Sequence, residues 1–362
     1  MMAVKVYVVD DSAVVRQAIQ HLLQDERDIE LIGSAPNAML AAVAIRKRRP
    51  DVLLLDIEMP GMDGLTFLRQ IMDEDPIPTV ICSTLSTSGS QVALEALACG
   101  AVAVMAKPRM GLKQFLDESR LEVVQTLKAA AASRPSAGAK PLAAGAASAA
   151  SAAPAKPRPA PTQAVAGVHA LSVNKPVVMG ASTGGTQALE AVLTRLPVDC
   201  PGIAIVQHMP ENFTRMYAER LNKLCAMEVR EARSGDRLQR GTVLIAPGGK
   251  HMQLTKSMGQ YFVKVLDGPP VNRHKPSVDV LFRSAAEVAG KDVMGIILTG
   301  MGDDGARGMK AMHDGGARTV AQDEASCVVF GMPMEAIKLG GVDDVRPLSG
   351  MADAILRFDA RA

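Results

Sequence analysis

The chain is predicted to fold as α/β, with two doubly wound parallel-sheet domains joined by a flexible linker. Three observations carry that expectation. Short apolar runs alternate with helix-period segments in both halves of the chain, the pattern of βα units building parallel sheets. A length of 362 residues exceeds one ordinary domain. Between the halves, from about Ala129 to Ala170, the sequence turns to Ala, Pro, Ser and Gly. Such a stretch cannot bury enough apolar surface to offset the entropy of ordering, and its prolines break any long alanine helix. The expected division is 1–128, a linker over 129–170, and 171–362. A flexible tether of about 40 residues spans roughly 35 Å. It lets the flanking domains touch or part, which suits autoinhibition.

In the first half the strand-like runs are Val4 to Val9, Leu31 to Ala35, Val52 to Leu55, Thr79 to Ser83 and Val102 to Met105. In the second they are Pro176 to Gly180, Gly202 to Gln207, Thr242 to Ala246 and Val293 to Thr299. Helical period marks Gly185 to Leu196, Asn212 to Leu224, Val278 to Ala289, Asp304 to Asp314 and Met351 to Arg357. A hairpin is expected from Met252 to Thr255 with Tyr261 to Leu266, turning at Ser257-Met258-Gly259.

Composition excludes several classes. Forty Lys and Arg stand against 38 Asp and Glu, a formal charge of +2, so no strong electrostatic case exists for nucleic acid or anionic membrane. Cys82, Cys99, Cys200, Cys225 and Cys327 are scattered without metal-binding spacing and read as free thiols of a reducing compartment. No charged-then-apolar leader precedes the first strand, and no apolar run approaches the about 18 residues of a membrane span. A soluble, cytoplasmic protein is expected, without direct membrane insertion.

Asp10 and Asp11 follow the first strand and Asp56 closes the third. Carboxylates at the carboxyl ends of neighbouring parallel strands converge on one crevice, where they suit Mg²⁺. The ion offsets their repulsion and leaves one carboxylate free to attack phosphorus. Glu58-Met59-Pro60-Gly61-Met62-Asp63-Gly64 follows, then Ser83-Thr84 after the fourth strand and Lys107-Pro108 after the fifth. Each element alone has an ordinary alternative as helix cap, turn hydroxyl or solvated cation.

In the second half, Gly180-Ala181-Ser182-Thr183-Gly184-Gly185 lies between a strand and a helix. The glycines could serve only a tight turn, or a phosphate loop, although the Walker lysine is missing. The segment also matches G-x-S-x-G, with Ser182 as nucleophile and helix-start N–H groups available to an oxyanion. Of six histidines, His208 is best placed as base, at the end of Gly202 to Gln207. His21 and His313 fall within helical segments, His169 at the linker edge, and His251 and His274 in polar loops. An orienting carboxylate comes from Asp303 or Asp304, either of which could instead cap the helix that follows. The order Ser, His, Asp differs from that of α/β-hydrolases.

In their fixed order the N-terminal elements resemble a response-regulator receiver domain over about residues 3 to 125. The C-terminal segments resemble the methylesterase domain of the bacterial chemotaxis protein-glutamate methylesterases. They are Gly180 to Gly185, Gln207-His208-Met209-Pro210, Ala246-Pro247-Gly248-Gly249-Lys250-His251, Asn272 to Asp279, and Leu298-Thr299-Gly300-Met301-Gly302-Asp303-Asp304-Gly305. The resemblance implies a flavodoxin-like receiver and a Rossmann-like catalytic domain. It implies Asp56 as phosphoacceptor, Mg²⁺ held by Asp10, Asp11, Asp56 and the Glu58 carbonyl, and phosphoryl contacts from Thr84 and Lys107. Ser83 is adjacent, so the hydroxyl could be off by one. Val104 stands where receivers often carry a switch aromatic, leaving the transmission route open.

For the second domain the resemblance implies Ser182 as nucleophile, His208 as base, Asp304 as orienting acid, Met301 N–H as oxyanion donor and Thr183 as a positioning residue. No cofactor is implied there. The implied activity is a phosphorylation-activated serine hydrolase that demethylates glutamate methyl esters and deamidates glutamines on methyl-accepting chemotaxis receptors. A chemotaxis histidine kinase would be the phosphodonor, and a monomer is expected. A nucleic-acid-binding output, a non-catalytic binding module and a hydrolase of small esters are the competing readings. The first lacks a basic recognition helix, the second would tolerate loss of Ser182 or His208, and the third would not prefer methylated receptor.

Overall fold

The structure, a computed structural model, describes residues 3–83, 87–107, 112–133, 175–211 and 213–360. Strands β1 (Val4–Val9), β2 (Ile29–Ala35), β3 (Val52–Asp56), β4 (Thr79–Ser83) and β5 (Ala103–Ala106) form a parallel sheet in the order β2-β1-β3-β4-β5. Every residue of β3 and β4 is buried, as central strands covered on both faces must be. The covering helices are α1 (Ala13–Leu23), α2 (Ala38–Lys47), α3 (Gly64–Glu74), α4 (Thr87–Ala98) and α5 (Leu112–Ala132). The first three start where Ser12, Asn37 and Asp63 accept a hydrogen bond from the N–H three residues on, satisfying a donor the helix cannot. Val9 pairs with Leu55, so Asp10 and Asp56 come level at the carboxyl edge.

The second sheet has seven parallel strands. They are β6 (Val177–Ala181), β7 (Ile203–Gln207), β8 (Glu228–Glu231), β9 (Thr242–Ile245), β12 (Met294–Ile297), β13 (Arg318–Gln322) and β14 (Asp344–Arg346); between β9 and β12 the chain makes a separate antiparallel hairpin of β10 (His251–Ser257) and β11 (Gln260–Leu266). The order is β14-β13-β12-β6-β7-β9-β8, so the chain reverses direction of travel beside β6. In such sheets that reversal opens a crevice at the strand ends. The helices are α6 (Gly185–Leu193), α7 (Phe213–Leu224), α8 (Val278–Ala289), α9 (Ala306–Asp314), α10 (Met332–Lys338) and α11 (Met351–Asp359). The expected α/β class, with two parallel sheets, is what the chain adopts.

Four elements escaped the sequence reading. β8 buries only Val229, and β14 is three residues long with none buried, so neither edge strand carries an apolar run. β13 is buried but reads Arg-Thr-Val-Ala-Gln, and α10 opens on Met-Pro. α5 continues through Ala132, so Ala129 to Ala132, expected in the linker, are helical; Ala129 and Ala130 are buried. Residues 134–174 of that stretch lie outside the described residues. Among the described residues no helix is long and apolar enough to cross a membrane, and all five cysteines are unpaired.

The halves meet along α4, which packs on α6 and α7. One apolar cluster contains Leu94 and Leu97 together with Leu189, Phe213 and Tyr217. Gln187 Nε2 donates to two carbonyls just beyond and within the end of α4, Ala101 O (3.0 Å) and Leu97 O (2.8 Å). Gly184 N–H approaches Val102 O at 3.4 Å.

Candidate active site

Three adjacent strands, β12, β6 and β7, deliver the residues of the C-terminal crevice. Ala181 pairs with Gln207, so Ser182 and His208 stand side by side one step beyond the strand ends, at a strand spacing of about 4.8 Å. His208 N–H donates to Ala181 O (3.1 Å), and Ser182 N–H to Thr299 O (3.0 Å). Gln207 Nε2 ties both positions, donating to Ser182 O (2.9 Å) and His208 O (3.2 Å). The turn into α6 needs Gly184, whose φ of 76° a side chain would strain. Gly300 is required for a different reason: a Cβ there would lie 2.2 Å from Met332 Sδ and 2.8 Å from Ser182 Cβ.

His208 Nε2 lies 2.8 Å from Asp304 Oδ2. That places a proton on Nε2 and leaves the lone pair on Nδ1, which is buried and has no hydrogen-bond partner. The ring is held flat against His274, centroids 3.8 Å apart and planes 11° apart. Of the two candidate carboxylates it is therefore Asp304 that meets the histidine. Asp303 is partly exposed and faces Arg273 instead, at 3.5 Å. Neither side chain caps α9, whose N-cap is Gly305 without a side-chain bond.

Asp304 is 1% exposed, and an ion so placed needs several donors. Oδ1 accepts from Ser277 Oγ (2.7 Å), Asn272 Nδ2 (2.8 Å) and Asp279 N–H (3.3 Å); Oδ2 accepts from Val278 N–H (2.7 Å) as well as His208. Burial alone would raise its pKa, but His208, Asn272 and Ser277 outweigh it and hold the carboxyl well below the usual carboxylate range. Burial lowers His274 to about 3, helped by His208 and Arg273 and opposed by Asp304. Asp279, buried beside Asp304, is pushed up by burial despite the Gly308 N–H and Asn272.

Ser182, Thr183, His208, His274 and Met301 line one cavity of about 560 Å³. Its opposite wall comes from the first half of the chain, including Val102, Val104 and Met105 of the β5 segment. Thr183 is also fixed through its carbonyl, which accepts from Thr299 Oγ1 (2.9 Å). A hydroxyl, a buried imidazole lone pair and an anchored carboxylate are the parts acyl transfer needs.

The N-terminal crevice gathers Asp10, Asp11 and Asp56, with ligand oxygens all within 4.8 Å of one another. Asp10 Oδ2 and Asp56 Oδ2 are buried, and their polar contact is the ion pair with Lys107 Nζ at 3.3 and 2.6 Å. Two otherwise unsatisfied carboxylate oxygens beside a third acid fit a hard divalent cation. Burial, with Asp10 adding to it, pushes Asp56 up to about 6 against the pull of Lys107 and the Glu58 N–H, which donates to Asp56 Oδ1 (3.0 Å). Asp10 is raised by burial too; Lys107, which burial would lower, is raised by the two carboxylates. Ser83 ends β4, buried, and its carbonyl accepts from Lys107 N–H (2.9 Å). Thr84 lies outside the described residues.

Sequence reasoning missed Arg16, whose guanidinium donates to the carbonyls of Asp10 (2.7 Å) and Asp11 (3.1 Å) and so braces the acidic loop. It missed Gln207 and Gln187, because amides carry no signature of their own. Asn272 and Ser277 entered the sequence reading only through the family resemblance, within the Asn272 to Asp279 segment, and both grip Asp304.

Two predictions follow from this geometry. Gly300→Ala folds but displaces Ser182, and loses at least about tenfold in ester hydrolysis, measured beside the circular dichroism of the variant. His274 and Asp304 both bind more protons unfolded than folded, so stability falls as pH falls. The His274 part is lost between its ordinary value near 6.5 and about 3, the Asp304 part below the ordinary carboxylate value. In denaturant melts between pH 7 and 5, His274→Asn flattens the decline seen in the unaltered protein.

Comparison with known proteins agrees with both crevices. The family model for the CheB methylesterase matches residues 177–355, and that for the response regulator receiver domain matches residues 6–118. A protein-glutamate methylesterase/protein-glutamine glutaminase of Chromobacterium violaceum is 54% identical over 97% of this chain and 98% of its own. One of Xanthomonas oryzae pv. oryzae is 56% identical over 96% of this chain and 99% of its own. The crystal structure of the Thermotoga maritima CheB methylesterase catalytic domain superposes with a TM-score of 0.50 at 37% identity, covering 51% of this chain and 98% of that one. The chain therefore belongs to the protein-glutamate methylesterase/protein-glutamine glutaminase family, a CheB-type hydrolase carrying a response-regulator receiver domain.

Proposed function

We propose that this enzyme is a cytoplasmic, phosphorylation-activated serine hydrolase that removes methyl groups from glutamate esters, and ammonia from glutamines, on methyl-accepting chemotaxis receptors. The observation that carries the reading is the His208 ring, fixed by Asp304 at Nε2 with Nδ1 buried and without a hydrogen-bond partner, on the strand end next to that of Ser182. Ser182 Oγ attacks the γ-carbonyl carbon while its proton passes to Nδ1. Asp304 stabilises the imidazolium through Nε2–H, and the Met301 N–H stabilises the tetrahedral oxyanion. Collapse breaks the C–O bond, and His208 returns the proton to the leaving methoxide as methanol. Water, deprotonated by the same nitrogen, then attacks the acyl-enzyme and frees the glutamate. A glutamine amide differs only in releasing ammonia. Thr183 positions the nucleophile through its carbonyl anchor.

In the receiver, Asp56 is the phosphoacceptor, supplied by a chemotaxis histidine kinase. Mg²⁺ would be held by Asp10, Asp11, Asp56 and the Glu58 carbonyl, and when bound it supplies the positive charge that lets phosphate approach three acids. Lys107 pairs with the phosphoryl oxygens, as does Thr84. Without phosphate, the receiver covers the cleft. Supporting this, β5 residues line the catalytic cavity, and Gln187 bonds to receiver carbonyls. The same segment ends at Lys107, so re-pairing of Lys107 from Asp56 to a phosphoryl group pulls on the strand that closes the site. A closing preference of about 3 kcal/mol suppresses activity more than a hundredfold.

Ser182→Ala should cut methanol release from methylated receptor membranes by on the order of 10³-fold or more. Wild-type rates persisting in that variant would remove Ser182 as nucleophile. Gln187→Ala loses two inter-domain hydrogen bonds, so the unphosphorylated enzyme should gain roughly tenfold in activity while the phosphorylated enzyme changes little. Equal basal rates would mean that this contact does not hold the closed form. Comparing methylated receptor with a generic small ester separates a receptor esterase from an unspecialised one.

A further inference from the structure

Val271, Asn272, Arg273 and His274 make a tight reverse turn, in which Val271 N–H donates to His274 O (3.1 Å) and His274 N–H donates to Val271 O (3.0 Å). Both central residues have positive φ, 50° at Asn272 and 69° at Arg273, as in a type I′ turn. Glycine is the favoured second residue of that turn. The chain shows this itself: the β10–β11 hairpin turns at Met258 and Gly259, φ 47° and 74°. Asn272 tolerates the left-handed region and uses its amide on Asp304 and Asp279. Arg273 has no such backbone reason to be there. A β-carbon in that region is disfavoured, so the position keeps arginine where glycine would fold more easily.

The Arg273 side chain is 59% exposed, and its charged contact is a single terminal nitrogen 3.5 Å from Asp303 Oδ1. That leaves donors of a five-donor group open. Arg273 lines the same cavity as Ser182 and His208, and among the described residues no Asp or Glu lines it. The neighbouring Lys275 is engaged elsewhere, by Asp267 Oδ1 (2.6 Å) and Gly268 O (3.0 Å). Among the described residues, Arg273 is thus the less engaged of the two cations that line the cavity.

We propose that Arg273 is a specificity-determining residue that pairs with an ionised carboxylate on the substrate, beside the ester or amide being hydrolysed; the inference rests on the receptor-hydrolase reading above. On a helical substrate such a carboxylate belongs to a residue three or four positions away, about 5–6 Å distant between Cβ atoms. A planar guanidinium suits a carboxylate in two-point pairing. The preferred substrate is then an ester with a free acid one helical turn off. Each turnover creates a new carboxylate, so where a second ester lies one turn away, hydrolysis at one position favours the other.

The test uses the full-length protein activated with a small-molecule phosphodonor such as acetyl phosphate, and two methylated receptors, in which the residue one turn from the ester is Glu or the uncharged Met, which the enzyme cannot convert to an acid. Unaltered enzyme should prefer the Glu form about tenfold in kcat/KM, mainly through KM, with the preference shrinking as salt rises. In Arg273→Gly the preference should fall to about one while the melting temperature holds or rises, because glycine suits the turn. Arg273→Lys should keep part of it. No preference in the unaltered enzyme, or an undiminished one in Arg273→Gly, overturns the inference, and the first measurement decides even if a variant folds poorly. Absence of methanol release from both receptors would overturn the hydrolase reading itself, a separate and distinguishable failure.

Discussion

The buried charge of Asp304 is the constraint around which the catalytic half is organised. A carboxylate 1% exposed to water can stay ionised only if donors converge on it, and five do. Two are the first N–H groups of α8, Val278 and Asp279, so the positive end of that helix helps hold the anion. Ser277, in the N-cap position of α8, spends its hydroxyl on Asp304 rather than on its own helix. The aspartate does the capping across space. The ends of β7 and β12, the start of α8 and the 271–274 turn must all meet at one point, and the His208 ring is oriented as a consequence.

The same residue type behaves oppositely in the other crevice. Asp56 is fully buried but receives one N–H and shares one lysine with Asp10, so burial wins and its carboxyl rises to about 6. Asp304 has enough donors to hold its pKa down despite burial. Asp56 does not. In the proposed cycle that shortfall is what makes the receiver responsive, since added cation and then phosphate change its balance while the catalytic carboxylate stays fixed.

Much of this was legible before any coordinates, and the reasons differ by element. Buried parallel strands such as Val52–Asp56 and Ile203–Gln207 announce themselves because both faces demand apolar side chains. Edge strands Glu228–Glu231 and Asp344–Arg346 do not, since water solvates much of each. Ser182, His208 and Asp10 were visible as polar residues at the ends of such runs. The choice between Asp303 and Asp304 came only through the family resemblance, because it depends on which side chain turns inward at a three-dimensional junction. His274 looked like loop polarity, and its stacking on His208 arises from a turn whose dihedrals no local pattern declares. Arg16, Gln187 and Gln207 act through backbone carbonyls, which every residue offers and no motif can mark.

A short piece of backbone runs from the acidic crevice to the wall of the catalytic cavity. Lys107 Nζ faces Asp56 while its own N–H is tied to Ser83 O, and two to five residues earlier Val102 to Met105 form part of the catalytic cavity wall. A receiver with an aromatic three residues before Lys107 could signal by swinging that ring, but a valine has only a small side chain to reorient. With Val104 in that place, displacement of β5 as a unit is the shorter path. Strand β5 is an edge strand, paired on one side with β4 alone, so it can shift at the cost of one ladder rather than two. The chain leading into β5 is tied to the catalytic side by polar contacts, Gln187 to Leu97 O and Ala101 O and the long approach of Gly184 N–H to Val102 O, beside the apolar seam under α4. An interface built from directional bonds to backbone carbonyls loses them together when the carbonyls move by about an ångström, because hydrogen bonds weaken steeply with misalignment. In the proposed cycle, a small change in how Lys107 is paired is thereby converted into a larger change in whether the cleft is open.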